Sequence, residues 1–373
     1  MRVFVVGTRG FPHVPGGIEA HCEHLYPLLA ERGVNVTVFT RSPYFARNER
    51  RDTWRGVRFM HVWAPRNKYL ETLVHTFICV IVSRMKSADC LHIHAIGPAL
   101  FAPLARILGL RVVLTHHGPD YERDKWGTCA AFVLRLGESL GLRFAHHVIV
   151  VSQAITRMVR EKYPNKRIVF IPNGVGQPVA VSGTSVLHEI HLKPQQYILA
   201  VARFVPEKGL HDLIAAYREV RADLPRLVIV GGANRETVYS RSLRKTAMKI
   251  EGIVLTGTMK RHRLCELYAH SRLFILPSHY EGLPITLLEA ISHGTPVLVS
   301  DIAANRELQL PSYRYFSVGN IKMLAQKMTE LCNARVSRDE LAATKQRITE
   351  TFNWSRIATA THAVYEEHGN MHV

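Results

Sequence analysis

Short apolar runs recur along this chain, and each is followed by a longer stretch in which apolar residues return every three or four positions. The short runs predict strands and the amphipathic stretches predict helices. In the first half the order is strand 3–6, helix 18–32, strand 36–39, helix 70–86, strand 91–94, helix 97–108, strand 112–115, helix 128–144, strand 148–151, helix 153–162 and strand 168–171. Residues 176–194 lose this periodicity and gain Ser, Gly and Pro, the composition of a linker. A second run then begins: strand 198–202, helix 209–223, strand 227–230, helix 239–249, strand 253–256, helix 261–269, strand 273–276, helix 284–293 and strand 297–299. A last helix is expected from Trp354, with Ile357, Ala358, Thr361, Val364 and Tyr365 at helical spacing. Alternating strands and helices imply parallel sheets covered on both faces, with ligands bound beyond the carboxyl ends of the strands. The predicted fold class is therefore α/β, with two doubly wound, Rossmann-like domains at 1–180 and 190–352.

Length and composition sharpen this picture. A chain of 373 residues suits two domains, and 47% hydrophobic with 21% charged residues is a globular composition. The N-terminus has only a four-residue apolar run before Gly7, so it reads as a first strand and not as a signal peptide. The longest apolar segment, 73–82, is interrupted by His75 and Thr76 and is too short to span a bilayer. Six cysteines show no metal-ligand spacing and read as buried thiols of a reducing compartment, which makes the cytoplasm the expected location. The formal charge is +18, and residues 1–180 carry 24 Lys and Arg against 12 Asp and Glu, a net +12. No nucleic-acid-binding signature accompanies that charge. The expectation is instead a face towards anionic lipid, built on Arg47, Arg50, Arg51, Arg55, Arg58, Arg66 and Lys68.

Candidate chemistry centres on residues 277–294, PSHYEGLPITLLEAISHG. An apolar strand, a loop and a helix opened by Pro284 would place free backbone N–H groups around Gly282, Leu283 and Ile285 where the helix dipole favours an anion. Glu281 and Glu289 lie about 12 Å apart along such a helix, close to the span from the sugar to the ribose of a nucleotide sugar. Carboxylates accept well from vicinal hydroxyls. After the first strand of the second domain, Arg203 and Lys208 are placed on one loop, where fixed cations would lower the barrier to departure of a diphosphate. In the first domain the loop 7–17 holds four Gly and two Pro, and Gly16 and Gly17 let backbone approach a phosphate or sugar. His116 and His117, after strand 112–115, are candidates for the sugar pocket. The dinucleotide fingerprint G-x-G-x-x-G is absent after strand 3–6, which argues against a dehydrogenase or a sugar-nucleotide epimerase. Presence of the whole reactive set argues against the remaining alternative, a non-catalytic nucleotide-sugar-binding protein. No D-x-D occurs, so no metal or other cofactor is expected.

The string E-G-L-P-x-x-L-L-E-A, with seven residues between Glu281 and Glu289, resembles the signature of the large retaining glycosyltransferase family 4. G-T-R-G-x-P, P-G-G-I-E and H-G-x-D-x-x-R-x-K-W-G are similar to a bacterial subgroup that builds surface polysaccharides, with Tyr121 where Trp is the expectation. The resemblance covers nearly the whole chain. It implies the GT-B architecture, two domains facing a cleft with the C-terminal helix crossing back onto the first. It further implies His117 near the transferred sugar, Arg203 and Lys208 on the donor phosphates, and retention of configuration. The expected partners are a nucleotide-sugar donor and a glycan or lipid-linked acceptor.

Overall fold

The structure is a computed structural model. It describes all residues except 47, 49, 68–69, 123–126, 177–180, 182, 234 and 368–373. Arg47 and Lys68 of the basic cluster, Arg123, Lys125 and Trp126 of the loop after strand 112–115, and part of the expected linker lie outside the described residues. The chain divides into two compact units, Met1–Gly174 with Trp354–Val373, and Val175–Asn353. The change of unit thus falls just before the stretch expected to be a linker.

The first unit is built from β1 (Arg2–Val6), α1 (Gly17–Glu31), β2 (Asn35–Arg41), β3 (Thr53–Trp54), β4 (Val57–Val62), α2 (Leu70–Met85), β5 (Cys90–His94), α3 (Ala102–Ile107), β6 (Arg111–His116), α4 (Thr128–Phe144), β7 (His147–Val150), α5 (Gln153–Lys162) and β8 (Ile168–Phe170). Its eight strands lie in the order β3-β4-β2-β1-β5-β6-β7-β8, all parallel except β3, which pairs antiparallel with β4. The β3–β4 hairpin was not expected, because Val57–Val62 interleaves Arg58 and His61 with its apolar residues. Helices cover both faces, and the strand period of two divides β1 between them. Val3 and Val5 pack with Leu25 and Tyr26, whereas Phe4 and Val6 pack with Cys79 and Leu142.

In the second unit α6 (Ser185–Glu189) precedes β9 (Tyr197–Val201), α7 (Leu210–Val220), β10 (Arg226–Val230), α8 (Val238–Ala247), β11 (Ile253–Gly257), α9 (Arg261–His270), β12 (Leu273–Leu276), α10 (Ile285–Ser292), β13 (Val297–Ser300), α11 (Ala303–Arg306), β14 (Tyr315–Phe316), α12 (Ile321–Asn333) and α13 (Arg338–Thr351). Its six strands are all parallel, in the order β11-β10-β9-β12-β13-β14. Each sheet therefore reverses its direction of growth once, between β1 and β5 in the first unit and between β9 and β12 in the second. In open α/β sheets such reversals are where loops part to admit a ligand.

The final helix, α14 (Trp354–Glu366), belongs to the first unit. Trp354, Ile357, Ala358, Val364 and Tyr365 are buried in the same core face as Val3 and Tyr26. A Cβ on Gly174 would lie 2.6 Å from the Trp354 ring, so the chain leaves the first unit directly beneath the residue at which it returns. Replacing Trp354 by Ala is expected to destabilise the first unit by about 3–5 kcal/mol, the usual cost of removing a buried large aromatic side chain. Urea denaturation checks this, and a loss below about 1 kcal/mol would show that α14 is not integral to that core.

Candidate active site

The loops that follow β9 and β12 emerge side by side at the reversal point of the second sheet. After β9 the chain passes Arg203, enters a turn of 3-10 helix at Pro206–Lys208 and reaches Gly209, whose φ of 61° is left-handed. A Cβ there would stand 2.0 Å from the carbonyl oxygen of Pro277, the first residue after β12, so only glycine permits this approach. The contact fixes Lys208 beside Glu281. Lys208 Nζ donates to Glu281 Oε1 at 2.5 Å, and Ser278 Oγ donates to the same oxygen at 2.7 Å. Ser278 is held in turn by Ser300 Oγ, which donates to its carbonyl at 2.5 Å. Glu281 and Lys208 side chains are only 10% and 18% exposed, so the pair is largely withdrawn from water.

Glu281 leads through Gly282 and the buried Leu283 into α10. Pro284 is the N-cap residue of this helix, with φ −77° and ψ 109°, one position outside the first turn where the sequence predicted it. Among the described residues no side chain caps this helix start, and the dipole of its eight residues leaves a partial positive charge there. One and a half turns on, Glu289 is held by Arg261 Nη2 at 3.4 Å and accepts from the Tyr268 hydroxyl at 3.2 Å. Burial, and then the Glu289 carboxylate, push the Tyr268 phenol well above its ordinary pKa, so it stays a donor. Two carboxylates separated by a helix, each tied to a cation, can grip hydroxyls at the two ends of a ligand whose anionic middle meets the helix start. On the other side of Gly209, His279 Nε2 meets Asp212 Oδ2 at 2.6 Å, a pairing the sequence reading did not single out.

In the first unit the equivalent reversal lies between β1 and β5, and its geometry is alike. Gly7, φ 106°, follows β1, and a Cβ on it would stand 2.1 Å from the carbonyl oxygen of His94 at the end of β5. The loop to α1 is braced by Arg9 and Glu19: the Arg9 amide and Nε both donate to Oε1, at 3.1 and 3.0 Å, and Nη2 to Oε2 at 2.9 Å. Burial raises the Glu19 carboxyl, but the adjacent guanidinium outweighs it and leaves the pKa below the usual range. Gly16 is explained by this bridge, since a Cβ would collide with Glu19. At Gly17 a Cβ would meet nothing within 4 Å, so backbone there is open to approach.

His116 and His117 separate cleanly. His116 is fully buried and bonded through Nε2 to Glu138 Oε1 at 2.9 Å, a structural pairing with Lys162 and Tyr121 behind it. His117 is half-buried, and its Nε2 meets His94 Nδ1 at 3.0 Å. Behind it runs a polar seam missed at the sequence level: His94 Nε2 to the Tyr26 hydroxyl at 2.5 Å, and His92 to Thr115 Oγ1 at 2.7 Å and to the Tyr365 hydroxyl at 2.5 Å. Burial lowers the His92 pKa to about 3 and holds His94 well below its ordinary value, so both rings are neutral. The signal was present in the sequence, because His92 and His94 alternate on one face of an otherwise apolar strand.

The structure thus pairs Lys208 with Glu281 where Gly282, Leu283 and Pro284 lead into α10, with Arg203 on the loop after β9 and Glu289 within the helix; in the first unit Gly16 and Gly17 open α1 and His117 stands against His94. Residues 187–348 match the family described as Glycosyl transferases group 1, and residues 15–176 match Glycosyltransferase Family 4. The chain is similar to the glycogen synthase of Mycobacterium tuberculosis, 26% identical over 98% of this chain and 94% of the relative. Its fold is similar to sucrose-phosphate synthase from Thermosynechococcus elongatus, with a TM-score of 0.82, 19% identity and 98% of each chain covered. It is also similar to the Anabaena protein HepE solved with UDP and glucose, with a TM-score of 0.78, 17% identity, and 98% of this chain and 99% of that one covered.

Arg203→Ala and Lys208→Ala are each expected to weaken binding of the matching nucleoside diphosphate by about 1.5–3 kcal/mol, the worth of a charge-assisted hydrogen bond. Glu281→Gln is expected to slow transfer with little effect on that affinity, whereas Glu289→Gln lowers it. Titration calorimetry beside turnover separates these outcomes, and equal losses of nucleotide affinity in the two Glu variants would break the division of labour along α10.

Proposed function

Because the chain belongs to the glycosyltransferases of GT-B fold, we propose that it moves a hexose from a nucleotide-sugar donor, held by the second unit, to a glycan or lipid-linked acceptor in cell-surface polysaccharide biosynthesis. The observation that carries this reading is the Lys208–Glu281 pair at the start of α10 with Glu289 farther along the same helix. Lys208, Arg203 and the helix start supply positive charge where a diphosphate leaves, without a metal ion. Such charge, fixed before the reaction, stabilises the transition state without the reorganisation that water needs. Glu281 holds hydroxyls of the donor sugar and Glu289 those of the ribose; in the first unit His117 is assigned, separately, as a sugar contact. In this reading the configuration at the anomeric carbon is retained, and no protein nucleophile is assigned.

A panel of nucleotide sugars, offered with exhaustive chelation, tests the donor and the metal together. One donor class should be turned over at an undiminished rate, with the product keeping the donor's anomeric configuration by proton NMR. A loss of activity that manganese restores would overturn the metal-free part of the reading.

A lipid-linked acceptor is supported by the surface of the first unit. Arg50, Arg51, Arg55, Arg58 and Arg66 are all exposed, and Trp63, Leu70 and Phe77 place large apolar side chains in water nearby in sequence. No helix among the described residues is long and apolar enough to cross a membrane, so the contact proposed is peripheral, on the cytoplasmic side. Each basic residue close to an anionic surface contributes about 1 kcal/mol, screened over about 8 Å at physiological salt. Sedimentation with vesicles should therefore show binding to anionic lipid that fades with zwitterionic lipid and with rising salt. Binding indifferent to both would remove the support for docking.

A further inference from the structure

Beside the half-buried His117 the first unit holds two further imidazoles, His21 and His94, that the proposed transfer does not use. His21 projects from α1, His94 ends β5, and His117 follows β6. Each offers one ring nitrogen, and the three lie within 4.8 Å of one another. The ring centroids of His21 and His94 are 5.4 Å apart, and those of His21 and His117 are 5.0 Å apart. We propose that His21, His94 and His117 form a binding site for a divalent transition-metal ion, with Zn2+ the ion that suits it best.

Proton accounting at His21 is the main support. Its Nδ1 lies 2.9 Å from Asn173 Oδ1, an oxygen that only accepts, so Nδ1 carries the hydrogen and Nε2 carries a lone pair. That Nε2 is buried and has no hydrogen-bond partner among the described residues. A buried acceptor left unsatisfied is costly. His94 is prepared in the same way, with Nε2 on the Tyr26 hydroxyl and Nδ1 turned to His117. Metal-bound imidazoles use such outer partners to fix the tautomer and aim the lone pair. In a tetrahedral site with Zn–N bonds of about 2.0–2.1 Å, ligand nitrogens stand about 3.3–3.4 Å apart. The 3.0 Å between His94 Nδ1 and His117 Nε2 is already near that value. Three imidazoles without a carboxylate select zinc-like ions over Mg2+ and Ca2+, which require oxygen ligands.

On the reading of His117 as a sugar contact, its Nε2 cannot serve the ion and the sugar at once. Bound Zn2+ would therefore inhibit transfer, an effect distinct from any metal requirement of the donor site.

The test uses the full chain, stripped by chelator and free of nucleotide, titrated with Zn2+ by calorimetry and with Co2+ by visible absorption. One equivalent should bind, Co2+ should give the intense bands of four-coordination, and Mg2+ and Ca2+ should not compete. His21→Ala and His94→Ala should weaken binding at least tenfold. Asn173→Ala, which keeps all three ligands and loosens one, should weaken it about 10–100-fold. Thermal melts of each variant separate lost ligation from lost folding, with His117→Gln as the half-buried variant on which to rely if the core substitutions unfold. His211→Ala, in the His211–Asp212–His279 group of the second unit, serves as the control for metal held elsewhere. The proposal is overturned by absence of saturable binding, which would leave a water as the partner of His21, or by binding that follows His211 and ignores His21. Nucleotide affinity, measured separately with chelator present, reports on the donor site, so either reading can fail alone.

Discussion

Backbone meeting backbone at the reversal of a parallel sheet is the constraint on which both halves of this molecule depend. Where β9 and β12 diverge, a left-handed Gly209 lets the loop after one strand lie against the carbonyl of Pro277 after the other. Where β1 and β5 diverge, Gly7 does the same against the carbonyl of His94. Any side chain at either glycine would push the two loops apart by more than a hydrogen bond tolerates. The candidate groups are close neighbours of these contacts: Lys208 beside Gly209, Glu281 four residues beyond Pro277, and His117 against His94. Their placement is thus inherited from strand order and not from side-chain packing.

Placement alone leaves the charges to be managed, and each unit does so with ion pairs that are largely withdrawn from water. Lys208 with Glu281, and Arg9 with Glu19, have side chains no more than 18% exposed. Pairs of this kind add little net stability, because desolvation offsets the attraction. Their effect is geometric. Arg9 closes a three-bonded clamp on Glu19 and so sets the course of the loop into α1. Lys208 and Ser278 converge on one oxygen of Glu281, which orients that carboxylate before any ligand arrives. Arg261, more exposed, and Tyr268 perform the same service for Glu289.

Most of the strand and helix order was legible in the sequence because doubly wound sheets bury their strands on both faces, leaving runs such as Leu273–Leu276 continuously apolar. The β3–β4 hairpin was not, since β3 is only two residues long and β4 beside it breaks its apolar run with Arg58 and His61. The region after β13 was passed over although α12 has a readable stripe at Leu324, Met328 and Leu331, while α13 buries only Ile348 and leaves little pattern to find. At the candidate site, Glu281, Glu289, Arg203 and Lys208 stood out because their spacing has a chemical meaning. Ser278, Arg261 and Tyr268 did not, because they matter only through whom they touch. Gly16 and Gly17 looked equivalent in sequence, yet one makes room for Glu19 and the other faces open space. No local pattern distinguishes them.

The same limit applies to the longest-range feature of the chain. Tyr365 bonds His92 across 273 positions, and Trp354, Ile357 and Val364 complete the core face that Val3 and Tyr26 begin. The second unit, by contrast, is one continuous segment, Val175–Asn353, that contains all its own strands. Closing a loop of that length costs only slightly more entropy than closing one half as long, so the discontinuity is cheap in stability. Its consequence is for order of assembly. The second unit can finish its core while α14 is still to come, whereas the first unit, though its sheet is made earliest, keeps an apolar face open until the last turns of the chain arrive. The polar seam of His92, His94 and Tyr26 lies beneath that face, which makes the arrangement behind His117 among the last parts of the molecule to be set.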